Sequence, residues 1–153
     1  MSVTGEKPVR GYIAAITGCY CPRCRQGKLF KHPINLRLKG LLAMNDRCPV
    51  CGQLTDIEVG FYYGTSYVSY AIAILLSAVT FVLWWLTVGF SFNDNRFMWW
   101  VIGNAVLLVV LQPWLMRFSR SLWLSWFVRY DPLWRTTKPR KGERINEAHM
   151  NNW

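Results

Sequence analysis

Residues 59–93 read VGFYYGTSYVSYAIAILLSAVTFVLWWLTVGFSFN, without one charged side chain. A helix needs about 20 apolar residues to cross the hydrocarbon core of a bilayer, and this run exceeds that length. After Asp94 and Arg96 a second uncharged run, Phe97 to Met116, is long enough to cross back. The chain has 153 residues, 52% of them apolar and 17% charged. A soluble domain of this size rarely accommodates two long helices that are apolar on all sides. The sequence therefore predicts an α-helical membrane protein built on a two-helix transmembrane hairpin, with helices at about 65–90 and 97–116. Met1 to Gly18 lacks the sustained apolar stretch of a cleaved signal peptide, so the first membrane helix is expected to serve as the insertion signal.

The charges outside the runs fix an expected orientation. Nine Lys or Arg precede the first run (Lys7, Arg10, Arg23, Arg25, Lys28, Lys31, Arg37, Lys39, Arg47) and eight follow the second (Arg117, Arg120, Arg129, Arg135, Lys138, Arg140, Lys141, Arg144). The loop Ser91 to Arg96 holds one charge of each sign. Basic flanks stay in the cytoplasm, which places both termini inside. The net charge of +10 is then largely accounted for by topology and by anionic lipid headgroups, and no nucleic-acid partner is expected.

Small residues and amides mark where the helices pack. Ser69, Ala73 and Ser77 recur every four residues and form one stripe where another helix can approach closely. Asn104 and Gln112 lie in the second run and need hydrogen-bond partners in hydrocarbon, so they are read as glue between helices, beside a bend at Pro113, in preference to the lining of a pore or cofactor pocket. These five are the expected contacts to a membrane partner. Tyrosines 62 and 63, with Trp84, Trp85, Trp99 and Trp100, suit the two headgroup levels. Beyond Met116, Arg117, Arg120, Ser121, Ser125 and Arg129 oppose Leu122, Trp123, Trp126 and Phe127. That pattern predicts an amphipathic interfacial helix over 117–132, stopped near Pro132. A polar arm (1–18) and a basic polar tail (133–153) complete the chain.

The strongest chemical signal is Cys21-Pro-Arg-Cys24, then 23 residues, then Cys48-Pro-Val-Cys51-Gly52. Two CxxC knuckles at this separation can bring four thiolates to the corners of a tetrahedron. Segment 19–58 is too small to fold on a hydrophobic core alone, so a metal or crosslink must hold it. The expectation is a cytoplasmic zinc-ribbon-like β domain with one Zn2+ per chain. Short strands are expected at Lys28–Lys31 and after Gly52, and either a strand or a helical turn over Leu36–Met44. Iron in a rubredoxin-like site is the alternative, disfavoured because Arg25 stands where such a site repeats a glycine. Disulfides are disfavoured by the reducing cytoplasm. Cys19, two residues before a ligand position, is read as a spare thiol in preference to a substitute for Cys21 in another metal state, and His32 and His149 are given no role. Neither a catalytic constellation nor a small-molecule substrate site is read, and closed zinc sites build structure rather than catalyse.

Cys21-Pro-Arg-Cys24-Arg-Gln-Gly27-Lys-Leu-Phe30, Cys48-Pro-Val-Cys51-Gly52 and Gly60-Phe-Tyr-Tyr-Gly64 together carry a resemblance. The chain resembles the bacterial family filed as domain of unknown function 983, and more closely its Bacteroidetes branch, over roughly residues 19 to 132. The resemblance implies an inner-membrane protein of a Gram-negative bacterium. Some family members are encoded near haem-copper oxidase assembly genes. The resulting expectation is a non-catalytic accessory or assembly subunit of a larger inner-membrane complex, respiratory in kind. The rival is an electron-transfer or metal-handling membrane protein using the four-cysteine site.

Overall fold

A computed structural model describes residues 9–34, 40–58, 60–89 and 94–139. Three α-helices are present among them: α1 (Tyr12–Thr17), α2 (Thr65–Val88) and α3 (Arg96–Phe127). A 3-10 turn, Phe61–Gly64, leads directly into α2. Parts of the expected arm, loop and tail lie outside the described residues (1–8, 90–93 and 140–153, the last including His149), as do 35–39, which take in the first four residues of the expected Leu36–Met44 element.

Phe61–Val88 and Arg96–Phe127 are both long and apolar enough to cross a membrane. Their side chains do not form the interior of a soluble fold. Thr65 is the single buried residue of α2, while Leu86 is 76% exposed and Val109 on α3 73%. The hydrogen bonds of such helices are satisfied within each helix, which lets their apolar surface face lipid.

The seam between α2 and α3 absorbs most of the residues expected to meet a partner. Ser69 Oγ donates to Ser119 Oγ at 2.8 Å. Asn104 Nδ2 donates to Ser77 Oγ at 3.1 Å, and Thr80 Oγ1 donates to Asn104 Oδ1 at 3.0 Å. Ala73, on the same stripe, is half-buried, and Gln112 is exposed. Phe81 meets Trp100 edge-on at 5.1 Å toward the loop end of the hairpin. Within hydrocarbon the cheapest partner for a hydroxyl or amide is the neighbouring helix of the same chain, because the short loop already holds it there. Ser69, Ser77 and Asn104 thus close the hairpin on itself.

α3 departs from expectation at its second half. It continues through Pro113 to Phe127 as one helix, where the sequence suggests a stop at Met116 and a separate interfacial helix. Arg117, Ser121, Leu124 and Ser125 are buried, on the face set by i, i+4, i+7 spacing. That face receives the cysteine module. Arg117 Nε donates to Leu41 O at 2.9 Å and its Nη2 to Pro33 O at 3.2 Å, and Arg120 Nη1 donates to Leu42 O at 3.1 Å. These guanidinium groups satisfy carbonyls that have no strand partner, which is why the cationic face turns toward the module and away from the headgroups.

The module itself has no β-strand among the described residues. Three isolated bridges, Tyr20 with Lys28, Phe30 with Met44 and Arg47 with Leu54, stand where the ribbon was expected. Each arm is too short to extend a ladder, and packing on α3 supplies what the ladder would have supplied. Leu29, Phe30, Met44, Ile57 and Tyr62 form one apolar cluster with Leu124 and Val128 of the α3 end. α1, inside the expected polar arm, buries Ala15 and Ile16, and Tyr12 Oη lies 3.1 Å from Ser125 Oγ.

The joint between module and hairpin is tight. Trp123 Nε1 donates to Phe61 O at 2.8 Å, and a Cβ on Gly64 would lie 2.4 Å from the Trp123 ring. Only glycine admits that approach. Tyr62, 5% exposed, donates its hydroxyl to Thr55 O at 2.5 Å. It thereby ties the start of the first long helix to the module.

Candidate metal centre

The two knuckles are built alike. In the first, Cys21 N donates to Gly27 O at 2.7 Å and Arg25 N to Cys21 O at 2.8 Å. In the second, Cys48 N donates to Gln53 O at 2.8 Å and Gly52 N to Cys48 O at 2.9 Å. The residue after each CxxC is left-handed, Arg25 at φ 55° and Gly52 at φ 68°. An L residue in that conformation costs roughly 1–2 kcal/mol. Arg25 is held there by its guanidinium over the Tyr130 ring at 4.1 Å and by a bond from Nη1 to Arg10 O at 3.3 Å. Arg25 therefore does the backbone work of a glycine, and its presence does not argue against iron.

The sulfurs of Cys21, Cys24, Cys48 and Cys51 all lie within 4.8 Å of one another. Cys21 Sγ is 3.7 Å from Cys51 Sγ, and Cys24 Sγ 3.7 Å from Cys48 Sγ. A regular tetrahedron with metal–sulfur bonds of about 2.3 Å has edges of about 3.8 Å. The donor set fits a tetrathiolate ion. All five cysteines are free thiols, so no disulfide competes for them. Cys21, Cys24 and Cys48 are buried and Cys51 is partly exposed.

Charge is already poised within the cluster. The Cys24 thiol is driven well below its ordinary value, first by its hydrogen bond with Cys21, then by those with Cys48 and Cys51. Cys21 is raised, first by its bond with Cys24. Four sulfurs this close cannot all ionise unless a cation replaces the shared protons. Backbone amides of Gly27, Cys51 and Gln53 point at Cys24, Cys48 and Cys51 respectively and favour thiolate. Cys19 stands apart: it is buried, left-handed at φ 56°, and its thiol is pushed up to about 11 by burial.

Two residues of the site escaped the sequence reading. Gly27 is the first: a Cβ there would lie 2.4 Å from Cys48 Sγ, so the chain passes the cluster at a distance no side chain allows. The clue was its place three residues after Cys24. Arg23, inside the first knuckle and 4% exposed, is the second. Its Nη2 donates to Thr137 O at 2.8 Å and to Asp131 Oδ2 at 3.3 Å, drawing the segment after α3 onto the cysteine cluster. No local spacing signals a partner more than a hundred residues away.

Two long apolar helices joined to a cluster of four cysteines define the class: a helical hairpin with a four-cysteine module at its base. The family profile described as protein of unknown function (DUF983) matches residues 38–127, more than half of the chain, and the chain belongs to that family. The matched region includes the second knuckle and both long helices; the first knuckle lies before it. No curated protein and no solved structure gives a significant match.

Proposed function

We propose that the chain is a two-span protein of the inner membrane of a Gram-negative bacterium, with both termini cytoplasmic. One Zn2+ on Cys21, Cys24, Cys48 and Cys51 holds its cytoplasmic module rigid. The protein acts as a non-catalytic accessory or assembly subunit of a larger membrane complex, respiratory in kind. The observation that carries this reading is the closed donor set: four thiols in mutual contact leave no coordination position for a substrate. The module also grips the end of α3 through Arg117, Arg120 and Trp123, which makes it a fixed platform rather than a tethered domain.

The closed α2–α3 seam moves the expected docking surface outward, to the side carrying Gln112 and to the platform. Purification from native membranes in mild detergent is expected to yield zinc-loaded protein with integral membrane partners. Replacing Gln112 by leucine should thin those partners without loss of zinc. A zinc-loaded chain that purifies alone would overturn the accessory reading.

One feature favours the rival. Cys51 is the ligand open to solvent, and an exposed sulfur is where an electron or an incoming metal would enter. An optical spectrum separates the two: an iron tetrathiolate is coloured, a zinc site is not.

A further inference from the structure

A cleft of about 400 Å³ opens where the module meets α3. Lys28, Lys31, His32 and Ile34 of the module line it together with Trp114 and Arg117 of α3. No lining residue is acidic. Lys28, Lys31 and His32 are exposed, whereas Arg117 is 4% exposed with its guanidinium 4.7 Å over the Phe30 ring. The bonds from Arg117 to Leu41 O and Pro33 O use two of its five N–H groups. Burial of a cation at the back of a cleft that two lysines flank makes a site for an anion.

The position of the cleft along α3 says which anion. The apolar run Phe97–Met116 is about 30 Å long as a helix, the thickness of the hydrocarbon core. Trp114 and Arg117 therefore sit at its inner edge, one turn apart on the same face. Exposed Tyr67 and Tyr70 mark the same end of α2. Toward the bilayer, Val110 and Leu107 continue the Trp114 face as exposed apolar surface. A ligand filling this place has a negative head at Lys28, Lys31 and Arg117, and a chain running along Trp114 and Val110. From this juxtaposition we infer that the cleft is a binding site for one acidic glycerophospholipid, its phosphodiester between the module lysines and Arg117 and an acyl chain along α3.

The inference rests on the membrane location proposed above. Its consequence is that the lipid bridges module and hairpin, so that platform geometry follows inner-leaflet composition.

The test uses the full zinc-loaded chain, delipidated in detergent and titrated with phosphatidylglycerol or phosphatidylcholine under native mass spectrometry. One phosphatidylglycerol is expected to bind at least tenfold more tightly than phosphatidylcholine. K28Q/K31Q, altering two exposed side chains, is expected to erase that preference with zinc and helicity unchanged. Trp114→Ala should weaken phosphatidylglycerol while leaving any binding of glycerol phosphate alone. Equal affinity for both lipids, or a preference that survives K28Q/K31Q, would overturn the site. Displacement of the lipid by millimolar inorganic phosphate would overturn the lipid as its source in favour of a free anion. Carbonate extraction of cell membranes is scored separately. Release of the chain by carbonate would refute the membrane reading, whereas an inserted chain without lipid preference refutes the cleft alone.

Discussion

The cysteine module and the apolar hairpin solve one problem by opposite means. In the hairpin the backbone is paired mainly within each helix and most apolar side chains are left outward, so its fold asks for length and composition more than for sequence detail. In the module the local pairing stops at knuckle turns and three single bridges. Carbonyls of Pro33, Leu41 and Leu42 are met by Arg117 and Arg120 of α3, Arg23 reaches out to Thr137 beyond α3, and the module's centre is four sulfurs. The difference teaches that the module leans on α3 and on a cysteine cluster able to hold a metal, while the hairpin's stability is its own.

The sharpest way to break the comparison is Cys48→Ser. Structural zinc binding is worth on the order of 10–16 kcal/mol in small domains, so loss of a ligand is expected to release the metal and melt the module. The hairpin should remain inserted and helical. Metal analysis combined with limited proteolysis reads both halves at once. If the long helices were lost as well, the two regions would be one cooperative unit and the comparison would fail.

Gly27→Ala leaves all four ligands in place but drives a methyl group against Cys48 Sγ. A perturbation next to the ligands typically lowers metal affinity about 10- to 100-fold. Competition with a chromophoric chelator should show a loss in that range, with an unaltered helical signal. Wild-type affinity in this variant would mean the chain passes the cluster less closely than the structure shows.

A smaller effect is expected at Arg23→Ala, where one buried guanidinium is withdrawn from Thr137, Asp131 and the Cys51 carbonyl. Unsatisfied groups of this kind cost about 1–3 kcal/mol. Hydrogen exchange at Trp134 and Thr137 should quicken while the metal stays bound. The same segment carries a pH signature. The Asp131 carboxyl is held below the ordinary carboxylate range, chiefly by the Thr137 hydroxyl and also by Arg23. A depressed pKa stabilises docking above the ordinary range, so protection should be full at neutral pH and fade as pH falls through the depressed value. Asp131→Asn should flatten that dependence.

The hairpin seam yields the smallest number. Hydrogen bonds between membrane helices average about 0.6 kcal/mol, so Asn104→Leu, which removes the bonds to Ser77 and Thr80, should barely change thermal stability in detergent. A shift several times larger would show the hairpin to be as contact-dependent as the module.

What was legible in the sequence follows the same division. The two apolar runs could be read because length and composition alone decide whether a helix is able to cross a membrane, and the start near Thr65 needed only the glycine-bounded tyrosines before it. The four-cysteine cluster could be read because CxxC spacing is local. The partners of Arg117 and Arg120 could not: a basic stripe beside tryptophans is the same pattern whether it faces headgroups or the carbonyls of Leu41 and Leu42. Nor could the fate of Ser69, Ser77 and Asn104, since small and polar residues mark a helix contact without saying whose helix it is. The β-strands were inferred from the habit of zinc ribbons, and between Cys19 and Ile57 the bridges stay single because α3 takes the place of a ladder.

X-ray absorption at the zinc edge of gently purified full-length protein tests the central claim most directly. The expected result is one zinc per chain with four sulfur neighbours at about 2.3 Å and no nitrogen or oxygen in the coordination sphere. Stoichiometric iron, or zinc with fewer than four sulfurs, would contradict a closed structural zinc site on Cys21, Cys24, Cys48 and Cys51.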